Sequence, residues 1–283
     1  MQELLPTGRE HISFSELRMW LECGWQHKLV HIDKLSTFEP SIYSDFGSAV
    51  HDACEKYLET RVMDKSVTLE RIEKFWEERG YPDVESWPEF SSAVPDLQYW
   101  LDCADAMLDS IPEFLEENFP GWEFVAAEEL LKESMDDNDV PYIFKGFVDG
   151  IIKVPEKNGK FKYWIIDWKT ASTGGWRSDK KRDFKTLLQL ILYKNYWSRK
   201  HDIPLKDIRC GFILLKRIDP KSRKKSVNRC SIVTVSAGPK TIERAKKSVR
   251  NMISSIVEGR HMKNRFACTF CEFFNTEHCL PNM

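Results

Sequence analysis

Over the first 120 residues, apolar positions recur at intervals of three and four, the mark of helices with one buried stripe. Phe14, Leu17, Trp20 and Leu21 predict a helix over 13–31, capped by Ser13 or Ser15. Phe46, Val50, Ala53, Tyr57 and Leu58 line one face of a second, over 44–64. A third covers 67–79 and stops at Gly80-Tyr81-Pro82, and a fourth runs from Asp96 to Asn118, before Pro120-Gly121. The period then shortens to that of strands. Trp122–Glu133, Tyr142–Val154 and Phe161–Trp168 read as three strands, with turns at Asp136-Asp137-Asn138-Asp139 and Asn158-Gly159. The Tyr-Trp-Ile-Ile run of the third is apolar on both faces. A helix over 179–200, strands at Arg209–Lys216 and Cys230–Val235, and a helix over 239–257 follow. The order is a helical block, then βββαββ, then a helix, which predicts an α/β core with a helical layer or lid packed before it. The expected division is a helical region over 1–120, a core over 121–238, and a C-terminal helix with a cysteine-rich tail over 239–283.

Composition narrows the class. A chain of 283 residues with 42% apolar and 30% charged residues suits one large domain or two closely associated ones, not a disordered segment or a disulfide-stapled miniprotein. No apolar run reaches the roughly 18 residues of a membrane span. The opening MQELLPTGREHISF lacks the basic and apolar regions of a signal peptide, so a cytoplasmic location is expected. In such a reducing compartment eight cysteines point to metal or cluster ligation more than to disulfides. The net charge of −2 hides an asymmetry: residues 1–150 hold 12 basic and 33 acidic side chains, residues 151–283 hold 30 and 11. The basic half favours a polyanionic partner such as nucleic acid.

The chemistry concentrates where two strands end. The second carries Gly146-Phe147-Val148-Asp149-Gly150 and the third Ile165-Ile166-Asp167-Trp168-Lys169-Thr170. A hairpin between them brings Asp149 near Asp167, and the two-residue spacing puts Asp167 and Lys169 on one side of their strand. Paired carboxylates are hard ligands for Mg²⁺ or Mn²⁺, and a lysine beside such an ion can orient and polarise a water. That combination suits phosphodiester hydrolysis. An aspartate in a nearly all-apolar strand is costly without a partner such as a metal. Phe46-Gly47-Ser48-Ala49-Val50-His51 offers small residues for close backbone approach and an imidazole for the ion. Gln189 and Tyr193 share a helix face and can hydrogen-bond to phosphate oxygens or to the site.

Taken in order, Gly47-Ser48-x-x-His51, Gly146-x-x-Asp149, Asp167-x-Lys169-Thr170 and Gln189-x-x-x-Tyr193 resemble the motifs of the RecB-like branch of the PD-(D/E)XK nuclease superfamily. The resemblance implies a restriction-endonuclease-like core, a mixed central sheet flanked by helices. It implies that His51, Asp149, Asp167 and the Trp168 carbonyl hold Mg²⁺ or Mn²⁺, that Lys169 is the catalytic lysine, and that Gln189 and Tyr193 support the site and the DNA strand. Val148 stands where the superfamily's nominal motif has proline.

The cysteines divide into two groups. Cys54, Cys103, Cys210 and Cys230 lie in apolar periodic contexts and read as buried thiols. Cys268, Cys271 and Cys279 crowd the tail, and Cys23 stands near the start. Four such thiolates suit zinc or an iron–sulfur cluster. Similarity to CRISPR-associated RecB-like and AddB-type nucleases implies a [4Fe–4S] cluster on these four, clasping the chain ends. Zinc is the alternative, with His278 as a competing ligand.

Arg177, Lys180, Lys181, Arg182 and Lys185 follow the Asp-x-Lys strand, interleaved with Trp176 and Phe184. Cations that track a backbone and rings that stack on bases suit single-stranded DNA. Lys216, Arg217, Lys221, Arg223, Lys224 and Lys225 form a second basic stretch, and Gly174-Gly175 suggests a loop that closes over DNA. The expected function is a metal-dependent DNA exonuclease acting on single strands or DNA ends. Protein partners in recombination or CRISPR machinery of a prokaryotic or phage-infected cell are expected. The alternatives are an endonuclease of the same superfamily and a non-cleaving DNA-binding adaptor with this fold.

Overall fold

The computed structural model describes residues 4–35, 40–81, 96–135, 142–221 and 228–280. The expected turn at Asp136–Asp139 and the basic residues Arg223, Lys224 and Lys225 fall outside these. Strand β1 (His11–Ser13) leads into α1 (Phe14–Glu22) and the short α2 (Gly24–His27), which runs on through a π-helical turn over Lys28–Ile32. Three helices follow: α3 (Ile42–Thr60), α4 (Ser66–Arg79) and α5 (Leu97–Asn118). Then come β2 (Glu123–Ser134), β3 (Ile143–Pro155), β4 (Phe161–Ala171), α6 (Phe184–Lys200), β5 (Ile208–Lys216), β6 (Cys230–Thr234) and α7 (Pro239–Val257).

The caps explain the boundaries. Asp96 accepts the Tyr99 amide at 2.8 Å and starts α5, while Ser41 and Ser44 close a reciprocal box at the start of α3. Gly80, at φ +60°, ends α4 in the left-handed conformation that costs glycine least. Asp183 caps α6 through the Thr186 amide, so the helix begins later than the periodicity predicts, and Lys180–Arg182 form a 3₁₀ turn before it.

The sheet is mixed. Its main path runs β1-β3-β4-β5-β6, with β2 antiparallel to β3 on the other side. β3 and β4 are an antiparallel hairpin, and β4 and β5 run parallel, joined by the α6 crossover. Ile165 and Ile166 are both fully buried on opposite faces of β4. Ile165 joins a core with α6 and α7, including Leu190, Tyr196 and Val249. Ile166 joins another with α3, α4 and α5, including Phe46, Trp76 and Leu108. The helices of the acidic half therefore share a core with the sheet. Among the described residues no helix is long and apolar enough to cross a membrane.

One predicted helix is in fact two. At Cys23 the backbone turns extended, with φ −158° and ψ 112°. A side chain on Gly24 would come within 3.2 Å of the Met262 backbone, so glycine lets the tail approach here. The Trp25 amide donates to the Met262 carbonyl at 3.1 Å. Across the break Glu16 and His27, both fully buried, meet at 3.1 Å.

Because the two faces of β4 are equally enclosed, Ile165→Ala and Ile166→Ala should each cost about 2–5 kcal/mol, and Ile→Val at either place about 0.5–1.5 kcal/mol. Urea denaturation checks this; a near-neutral alanine at either position would show that face to be open.

Candidate active site

The hairpin ladder ends at the pair Gly150↔Ile166. The next positions outward are Asp149 and Asp167, so the register itself sets the two carboxylates opposite each other. Asp149 Oδ2 accepts the Trp168 amide at 2.9 Å, which stitches the strands where their ladder stops. Lys169 Nζ lies 2.5 Å from Asp167 Oδ2, and His51 Nδ1, from α3, lies 3.7 Å from Asp149 Oδ2. Two glycines permit this convergence. A side chain on Gly47 would stand 3.3 Å from Thr170 Oγ1, so glycine eases the close approach of α3 to the end of β4. On Gly146 it would stand 2.7 Å from the Tyr193 ring. Tyr193 is thereby admitted from α6 against β3, and its hydroxyl receives Gln189 Nε2 at 3.4 Å.

Burial dominates the electrostatics. Asp167 is fully enclosed, and its carboxyl rises to about 7, through lost solvation first and the charge of Asp149 second. Asp149 rises to about 6, again through lost solvation, although Lys169 and the Trp168 amide oppose it. Burial also works against the Lys169 charge, but the two carboxylates outweigh it and lift the ammonium above its ordinary value. His51 falls to about 4 through burial and the nearby Lys169, so it is neutral at neutral pH, the form that ligates metals. Burial raises the Tyr193 hydroxyl, and both aspartates push it further, which puts the ring within their field.

The donor set fits a divalent cation. Both Asp167 oxygens are buried and accept no well-aligned hydrogen bond among the described residues. A buried carboxylate in that condition keeps its charge only with cationic partners; Lys169 is one, and a divalent ion would be a second. As placed, no three His, Cys, Asp or Glu side chains among the described residues are poised around one point to hold an ion.

Two neighbours of the site carry no sequence motif. Glu55 sits one turn beyond His51, and its carboxyl rises to about 8 through burial, then through Glu128 and Asp149. Glu128, opposite Asp149 in the β2–β3 register, holds φ +48°, rare for a residue with a side chain. The spacing His51-x-x-x-Glu55 was a readable signal for the first; nothing in the sequence marks the second.

The basic residues do not all converge. Trp176 is buried against Phe212, with Lys180 Nζ 4.7 Å above its ring, so it cannot stack on a base as the sequence suggests; it props Lys180 instead. Burial first, then the charges of Arg18 and Lys169, holds the Lys180 ammonium below its ordinary value. Arg177 is exposed and paired with Asp179 at 3.1 Å, and Lys181 and Arg182 are exposed. Lys221 is tied to Asp102 at 2.9 Å, on the acidic helical layer. Gly174-Gly175 form a turn pinned to the next strand by Thr173 Oγ1 on the Arg217 carbonyl, not an open loop.

Cys23, Cys268, Cys271 and Cys279 line one cavity of about 30 Å³, with Trp25, Leu29 and Phe273. All four are free thiols, and the other three each raise the Cys271 thiol further after burial has done so. His278 does not line the cavity; its carbonyl accepts Trp25 Nε1 at 3.0 Å. Cys54, Cys103, Cys210 and Cys230 are buried, as their pattern predicts, and burial lifts their thiols.

Residues 11–276 match the sequence profile of the PD-(D/E)XK nuclease superfamily. The chain belongs to this superfamily. Its mixed sheet between helices is the fold expected of a PD-(D/E)XK nuclease. A crystal structure from Eubacterium rectale, of a protein provisionally named an exonuclease, superposes on it with a TM-score of 0.52. The two share 13% identity, over 93% of this nuclease and 86% of the other chain, a likeness of fold alone. No curated protein matches the sequence.

The buried carboxyls make stability depend on pH. Asp167 binds its proton more tightly folded than unfolded, so the metal-free fold loses stability at this group as pH rises from about 4 to about 7. Asp167→Asn removes that slope. The melting temperature of the variant minus that of the parent, both metal-free, should therefore grow across this range; a constant difference would show Asp167 to be unstressed. Gly146→Ala should displace Tyr193 and lower the melting temperature, and a Gly146→Ala/Tyr193→Phe double variant should recover part of the loss.

Proposed function

We propose that the chain is a metal-dependent deoxyribonuclease of the RecB-like branch, an exonuclease acting on single strands or DNA ends. The observation that carries this reading is the convergence of Asp149, Asp167, Lys169 and His51 where β3 and β4 separate, with Asp167 fully enclosed and Lys169 its one close cation among the described residues. His51, Asp149, Asp167 and the Trp168 carbonyl would hold Mg²⁺ or Mn²⁺. Such an ion supplies Lewis acidity and neutralises charge at the phosphate. Lys169, held by Asp167 at the end of β4, is the group that would act on the attacking water. It orients that water and offsets charge gathering on the phosphate oxygens. Neutral His51 leaves its lone pair free for ligation. Gln189 and Tyr193 keep their contact beside the carboxylates and offer donors to the strand. Membership of the superfamily supports the chemistry. The motif order supports the branch.

The four tail and N-terminal cysteines are proposed to hold a structural metal centre. The resemblance favours a [4Fe–4S] cluster. Zinc on the same four thiolates is the alternative.

Asp167→Ala and Lys169→Ala should each lower cleavage of a labelled strand by about a thousandfold or more, several kcal/mol of transition-state stabilisation, with unchanged circular dichroism. EDTA should stop the parent, and Mg²⁺ or Mn²⁺ should restore it. Cleavage that survives either substitution removes the assignment. Anaerobically purified protein should be brown with stoichiometric iron and acid-labile sulfide if the cluster is present, or colourless with one zinc. Cys271→Ser should lose that metal, and protein free of both metals in every preparation would end the proposal.

A further inference from the structure

One open groove contains, of the candidate site residues, only Lys185. Arg18 and Glu22 of α1, Lys185 of α6, and Asn264, Phe266 and Thr269 of the tail line it. Its floor is fixed: Asn264 Nδ2 donates to the Glu22 carbonyl at 2.8 Å, and the Asn264 amide reaches Cys23 Sγ at 3.4 Å. Arg18 and Glu22 pair at 3.0 Å across the surface, while no carboxylate among the described residues pairs with Lys185. Phe266 is 96% exposed on the 3₁₀ turn Arg265–Phe270, and its amide is held by Asn264 Oδ1 at 3.2 Å. The ring adds nothing to the core, yet its backbone is fixed at the edge of a groove that carries two cations. The same turn sends Cys268 into the thiol cavity and Phe266 and Thr269 into the groove. The groove leads toward the reaction centre along α6: Lys185 lies one turn before Gln189 and two before Tyr193, which packs against β3 at Gly146.

We infer that single-stranded DNA reaches the metal site along this groove, with Lys185 and Arg18 on successive phosphates and one base stacked on Phe266. The inference rests on the nuclease reading and adds the route and the base-contacting residue. Cations along a channel with a rigid exposed ring are the elements that hold a single strand without regard to sequence. The cysteine centre would then order one wall of the substrate path as well as clasp the chain.

The test uses the full-length Asp167→Asn protein, which holds a strand without cutting it. Strands of about 15 nucleotides, long enough to fill a site of this kind, carry 2-aminopurine at successive positions. One position should change its emission on binding, and Phe266→Ala should abolish that change and weaken binding about five- to tenfold. Phe266→Trp should keep both. Lys185→Ala should reduce the slope of log affinity against log salt by about 0.7, one phosphate's share for a single strand. The route is overturned if Phe266→Ala leaves the positional signal intact with affinity within about twofold, or if Phe266→Trp is as weak as the alanine. The nuclease reading fails by a different result: a parent that binds the strand in Mg²⁺ or Mn²⁺ and never cuts it.

Discussion

Two carboxylates forced together at the end of a hairpin are the constraint around which the rest of the molecule is arranged. Asp149 and Asp167 repel each other in a place that water barely enters. Holding Asp167 there costs on the order of a few kcal/mol, judged from its displaced titration. That is a substantial part of the roughly 5–15 kcal/mol by which a typical domain is stable. The surroundings limit the cost: Lys169 neutralises one aspartate, the Trp168 amide is spent on the other, and two cores clamp β4 so that the strands cannot part. A cation that relieves the repulsion gains affinity from the strain the fold has accepted.

Much of this could be read from residues in order. The Asn158-Gly159 turn sets the hairpin register, and the register alone places Asp149 opposite Asp167. The alternation of strand side chains puts Lys169 beside Asp167. Local chemistry wrote the ends of α4 and α5, through Gly80 and Asp96. What escaped reading depends on contacts far apart in the chain. Periodicity carries the first helix through Cys23, because the tail that bends it comes some 240 residues later. Trp176 looks like a stacking ring among lysines, and only the arrival of Phe212 across the sheet buries it. β1, three residues long, has no period to detect and exists because β3 offers it an edge. Glu128 holds a left-handed backbone within β2 that no single-residue preference announces.

The charge asymmetry also acquires a shape. The acidic helices α3, α4 and α5 cover one face of the sheet, and the more basic α6 and α7 cover the other. A chain of nearly zero net charge is thus a strongly polarised slab, with the carboxylate site at the seam. A polyanion approaching at random is turned so that its strand meets the α6 side first.

The meeting of Cys23 with residues 262–279 ties the two ends of the described chain together. Contacts of such sequence separation carry a large loop-closure cost and come late in folding. The two carboxylates thus rest on a hairpin of local contacts, whereas the neighbouring wall of α1 and tail rests on contacts between the two ends of the described chain.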